Sequence, residues 1–92
     1  MLEIASQLSE DEKYVQAAKY YKNILQIEHD NIGIINDYGV TLQNLGHYNR
    51  ALVMYDMILN LAPKNMNALV NKGSVLHTLG KYFEAISCYD IV

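Results

Sequence analysis

Gly39-x-x-Leu42-x-x-Leu45-Gly46-His47-Tyr48-x-x-Ala51-x-x-x-Tyr55-Asp56 recurs 34 residues later as Gly73-x-x-Leu76-x-x-Leu79-Gly80-Lys81-Tyr82-x-x-Ala85-x-x-x-Tyr89-Asp90. Upstream, Leu8, Tyr14, Ala17, Tyr21 and Leu25 stand 34 residues before Leu42, Tyr48, Ala51, Tyr55 and Leu59, a weaker third copy. A fixed period of this length means stacked supersecondary units, each unable to bury its apolar face alone. It points to a binding or assembly module and leaves open what is bound.

Within each period the apolar spacing is helical. Tyr48, Ala51, Leu52, Tyr55, Ile58 and Leu59 recur at steps of three and four, as do Ile35, Tyr38, Gly39, Leu42 and Leu45. Gly46 and Gly80 follow the last leucine of a helix, where glycine readily takes the left-handed conformation that closes a C-terminus. Pro63 ends the next helix because it cannot donate the following backbone bond. The spacing predicts six helices, at about 2–10, 13–28, 32–45, 48–61, 66–79 and 82–92. Helices this short are marginal alone and depend on packing. The first turn is the least regular, with Glu12 where the later units have Gly46 and Gly80. Ser9-Glu10-Asp11-Glu12 either caps the second helix or simply solvates the turn.

Composition narrows the function. The 92 residues are 51% hydrophobic and 18% charged, which suits a folded chain of one domain or about three short repeats. Net charge is −3, without the Lys/Arg cluster of a nucleic-acid binder. Cys88 is the one cysteine, so neither an internal disulfide nor a multi-thiolate metal site is expected. Its neighbourhood lacks histidine, and a buried structural thiol is the expectation. The start of the chain has no signal-peptide pattern and no apolar run reaches about 20 residues, so no membrane is expected and a cytoplasmic setting fits. His29, His47 and His77 have no i, i+4 pairing. With no phosphate loop, serine elbow or paired acids, neither an enzyme nor a cofactor is expected.

On these residues the chain resembles the tetratricopeptide repeat family. From Ile32 as position 1, the family pattern falls on Ile35, Tyr38-Gly39, Leu42, Gly46, Tyr48, Ala51, Tyr55, Ile58 and Pro63. One repeat on, it falls on Leu69, Lys72-Gly73, Leu76, Gly80, Tyr82, Ala85, Tyr89 and Val92. The resemblance implies an all-α, right-handed α-solenoid of antiparallel helix pairs. It forms a single domain over residues 1–92, with repeats at about 1–31, 32–65 and 66–92. Gly39, Gly73, Ala51 and Ala85 are read as points of close backbone approach. Tyr48, Tyr55, Tyr82 and Tyr89 are read as filling the space between pairs, hydroxyls near the surface. Two departures stand out. His29 replaces the repeat proline, and Lys72 replaces an apolar residue, its stem expected along the core edge with the ammonium in water. The pattern begins and stops inside repeats, which leads us to expect a piece of a longer array or, failing that, an apolar edge that pairs with another chain.

The resemblance also implies a concave groove lined by first helices. Its positions hold Leu2, Glu3, Ser6, Ser9 and Glu10 in the first unit. The second unit supplies Gly33, Asn36, Asp37, Val40, Gln43 and Asn44; the third supplies Asn67, Val70, Asn71, Ser74, His77 and Thr78. Of these, Asn36, Asp37, Val40, Asn44, Asn71, Ser74 and His77 are the expected peptide-binding residues. Amides carry donors and an acceptor and so can pair with an extended backbone. Asn71 matches one rung of the asparagine ladder in O-linked sugar transferases, and Asp37 breaks that ladder one repeat earlier. Repeats that grip acidic chaperone tails need Lys, Asn, Asn, Lys and Arg where this chain has Leu2, Ser6, Asp37, Asn67 and Asn71. No cation stands there, so a neutral or basic peptide is expected. RNA-reading helical repeats need a basic track that is also missing. The alternatives are self-assembly through helix-pair edges and an accessory role in a larger protein.

Overall fold

The computed structural model describes residues 2–91, and side chains from Glu12 to Asp90. Five helices follow one another: α1 (Leu2–Ile27), α2 (Ile32–Asn44), α3 (Tyr48–Leu61), α4 (Met66–Thr78) and α5 (Tyr82–Ile91). Each packs on the next, and α2 also touches α4. The result is the expected all-α solenoid, with five helices in place of six.

The difference lies in α1, which runs unbroken through the turn expected near residues 11–12. At the two turns that do form, Gly46 and Gly80 have φ of 81° and 80°. That region is costly for a side chain with a Cβ. Glu12 occupies the equivalent position and, with no glycine or proline nearby, nothing breaks the helix there. Neither reading of 9–12 holds: the segment is helix interior.

The 34-residue period reaches the caps as well. Asn31 and Asn65 are N-caps of α2 and α4, their side chains accepting from the backbone N–H of Ile34 at 3.2 Å and of Ala68 at 2.9 Å. Each cap contributes about 1 kcal/mol. The core gathers Ile35, Tyr38, Leu42, Ala51, Tyr55, Ile58, Ala68 and Val75, with Leu76, Ala85 and Cys88 as a second group.

Gly39 and Gly73 are small for a more specific reason than backbone approach. A Cβ on Gly39 would lie 2.7 Å from Cε1 of Tyr55, and one on Gly73 would lie 2.5 Å from Cε1 of Tyr89. The glycine of each pair's first helix is the seat of a tyrosine ring from its second. Lys72 keeps its ammonium at the surface but gives it a partner, Asp56 on α3 at 2.6 Å. Both side chains are partly exposed, so the pair contributes at most about 1 kcal/mol.

Candidate functional site: the polar face of α2 and α4

Where α2 meets α4, polar side chains join the two helices. Asn71 Nδ2 donates to Asn36 Oδ1 at 3.1 Å, and Gln43 Nε2 donates to Ser74 Oγ at 3.4 Å. Three of the expected groove residues, Asn36, Asn71 and Ser74, therefore come together in two cross-helix contacts, each half-buried. Asp37, Val40 and Asn44 are exposed on α2. His77 is exposed on α4, its ring edge-on to Tyr82 at 5.1 Å between centroids. The first-unit positions Leu2, Glu3, Ser6, Ser9 and Glu10 lie outside the described side chains.

The asparagines are thus half spent on each other. Asn36 retains its NH2 group, and Asn71 retains its carbonyl oxygen and a second N–H. This leaves donors and an acceptor in fixed orientation, which lowers the entropy cost of pairing with a ligand backbone. Asp37 is the sole carboxylate among the described groove positions, and no Lys or Arg accompanies it.

Tyr55 and Gln43 carry a feature the sequence did not reveal. The Tyr55 hydroxyl, expected near the surface, is on a fully buried residue and donates to Gln43 Oε1 at 3.0 Å. The chain Tyr55–Gln43–Ser74 thereby links the core beneath α2 to the groove. A glutamine at a helix position flanked by Leu42 and Asn44 gives no hint of a partner twelve residues on; the tyrosine's burial depends on α4 being in place. Desolvation pushes the Tyr55 pKa up to about 12 from 10.0. A raised acid pKa means that the neutral hydroxyl favours the folded state. That contribution is complete below pH 10 and is lost as pH rises through 12. Tyr55→Phe should cost about 0.5–1.5 kcal/mol at neutral pH, and thermal melts from pH 9 to 12 should show a shallower alkaline decline than the parent.

Elsewhere the described residues hold little that suggests chemistry. No group of three or more His, Cys, Asp or Glu among them could hold a metal ion. His29 and His47 lie in turns and are exposed. Cys88 is buried; that burial pushes its thiol pKa up, Asp56 and Glu84 adding to the shift and Lys72 opposing it. Such a thiol is a poor nucleophile. No helix among the described residues is long and apolar enough to cross a membrane.

A family model described as tetratricopeptide repeat matches residues 8–88. The chain belongs to the tetratricopeptide repeat family. Among solved structures it is similar to MamA, residues 41 to the end, from Desulfovibrio magneticus RS-1. The identity is 28% and the TM-score 0.83, over 98% of this chain and 51% of that one. A second MamA structure, the RS-1 ArsTM double mutant, matches at 27% identity with the same TM-score and coverage. The chain spans about half the length of these MamA chains. A search of curated proteins gives no match. The tetratricopeptide fold and the MamA likeness together support a protein–protein interaction or scaffold module.

Proposed function

We propose that the chain acts as one domain that binds an extended peptide of neutral or basic character along the polar face of α2 and α4. The observation that carries this is the Asn71–Asn36 contact, which holds two half-buried amides side by side with donors and an acceptor to spare. Asp37 beside them attracts a cationic side chain, and Val40 offers an apolar contact. Asn44, Ser74 and His77 extend the same face toward the C-terminal ends of the two helices. Nothing at Asp37, Asn67 or Asn71 can neutralise a carboxylate, so acidic tails are not its ligands.

Changing Asn36 and Asn71 to Ala together with His77→Ala tests the reading. Both partners of the amide contact leave at once, so no buried group is orphaned. Helicity, mass and melting temperature should stay near those of the parent, while capture of a neutral or basic peptide should be lost. Tight binding of a Glu/Asp-rich peptide that disappears in this variant would overturn the reading.

A second reading rests on α5. Tyr82 (56% exposed), Phe83 (88%), Ile86 (53%) and Tyr89 (43%) form an apolar stripe. One repeat earlier the matching Tyr48, Leu52 and Tyr55 are buried or half-buried, and α4 packs on that helix. The α5 stripe is therefore the seat of an α4-like helix, and we assign it to a second copy of this chain. Light scattering should show mass rising with concentration, and Ile86→Asp should abolish the rise; a constant mass in the parent would remove this reading.

A further inference from the structure

The two inter-repeat junctions of this chain differ, and the difference builds a second site. At the junction of α3, α4 and α5, Leu52 packs against Leu76, Ala85 and Cys88. Its charges are of both signs: Lys72 pairs with Asp56, and Glu84 and Lys81 stand where the earlier junction has Arg50 and His47. Thirty-four residues earlier, at the junction of α1, α2 and α3, alanine (Ala18) stands in place of Leu52, and a cleft of about 220 Å³ opens. Ala18, Tyr38 and Leu42 supply apolar wall. Lys22 stands where the later junction has Asp56, and Arg50 where it has Glu84. Lys19 joins them, and among the described residues no carboxylate lines the cleft. Arg50 is positioned there by a bond from its Nη2 to the Tyr38 hydroxyl at 3.0 Å.

Differences at equivalent positions, chiefly Ala18 for Leu52, Lys19 for Val53, Lys22 for Asp56, Arg50 for Glu84 and Tyr38 for Lys72, thus set an apolar hollow with a cationic rim in place of a junction of mixed charge. This occurs in a chain of net charge −3. The cleft lies on the other side of α2 from the groove. At 100° per residue, Tyr38, Leu42 and Leu45 centre roughly 150° around the helix from Asn36, Asp37, Val40 and Asn44. Its volume falls below the roughly 300–1,000 Å³ of small-molecule sites and suits a single side chain.

We propose that this cleft binds a segment of a partner protein in which an aliphatic side chain is flanked by Asp or Glu. The aliphatic group fills the space that Leu52 fills at the later junction. The flanking carboxylates take charge-assisted hydrogen bonds from Arg50, Lys22 and Lys19. The site is independent of the groove and of opposite charge preference.

The test uses a blocked peptide with leucine between glutamates, and its glutamine counterpart, titrated at low and high salt. Two variants introduce residues of the later junction: Ala18→Leu fills the hollow, and Lys22→Asp with Arg50→Glu reverses two charges of the rim. Melting temperatures check that each is folded, and since Lys22 and Arg50 are exposed the rim variant tests the site even if Ala18→Leu overpacks. The glutamate peptide should bind the parent, weaken with salt, and lose at least tenfold in affinity in each variant. It should be unchanged in the Asn36, Asn71 and His77 triple variant. Equal binding of the glutamine peptide, no binding at low salt, or binding indifferent to both cleft variants would overturn the proposal while leaving the groove untouched.

Discussion

Tyr55→Ala is expected to lower the unfolding free energy by about 3–5 kcal/mol, in line with other large aromatic truncations in cores. Against a total of about 5–15 kcal/mol for a domain of this kind, the loss takes the protein close to unfolding. The side chain is fully buried between α2 and its neighbours, and its removal leaves both an unfilled seat over Gly39 and a Gln43 without its donor. Tyr89→Ala, the same change one repeat later, should cost clearly less, because that ring is 43% exposed. Urea denaturation of the two variants side by side measures the contrast. Equal losses would mean that the second junction is as closed as the first.

Gly39→Ala carries the second large effect. The new methyl would meet Cε1, Cζ and Cδ1 of Tyr55 at 2.7, 3.0 and 3.2 Å. A ring with no exposed surface has nowhere to retreat, so overpacking of about 1–3 kcal/mol is expected. The gain of about 1 kcal/mol in helix propensity offsets only part of it. At Gly73 the contact is shorter, 2.5 Å to Tyr89 Cε1, yet the outcome should be milder. Tyr89 can swing toward solvent, and the propensity gain then brings Gly73→Ala close to neutral. Two chemically identical substitutions, 34 residues apart, should therefore differ by up to about 2 kcal/mol in thermal or urea unfolding, Gly39→Ala being the costlier.

The architecture was legible because each local signal agreed with the period. Helical spacing, Gly46 and Gly80 at the turns, Pro63 after α3 and the paired tyrosines all marked the same units. The break expected near Glu12 failed because its support was the period itself and no residue there enforces a turn. Helix propagation needs no signal, whereas a turn needs one, and Glu12 at a glycine position supplies none. The amide-rich face was legible as a set of residue types, but not the bond between Asn71 and Asn36, which depends on how closely α2 and α4 approach. The Tyr55 ring was expected between helix pairs with its hydroxyl near the surface, yet the whole residue is buried, because burial depends on the helix that follows; Tyr89, its equivalent, is 43% exposed. The cationic cleft was not legible because Ala18, Lys19 and Lys22 on α1 meet Arg50 only when α3 folds back, and their meaning appears only on setting one junction against the next.

Peptide selection from a random library tests the account's central claim most directly, each recovered peptide being titrated against the parent, the groove triple variant and the Lys22→Asp, Arg50→Glu variant. The account predicts a class of neutral or basic peptides that bind the parent, lose affinity with Asn36, Asn71 and His77 replaced, and are indifferent to the rim reversal. Recovery only of peptides whose binding survives the groove triple variant would contradict it.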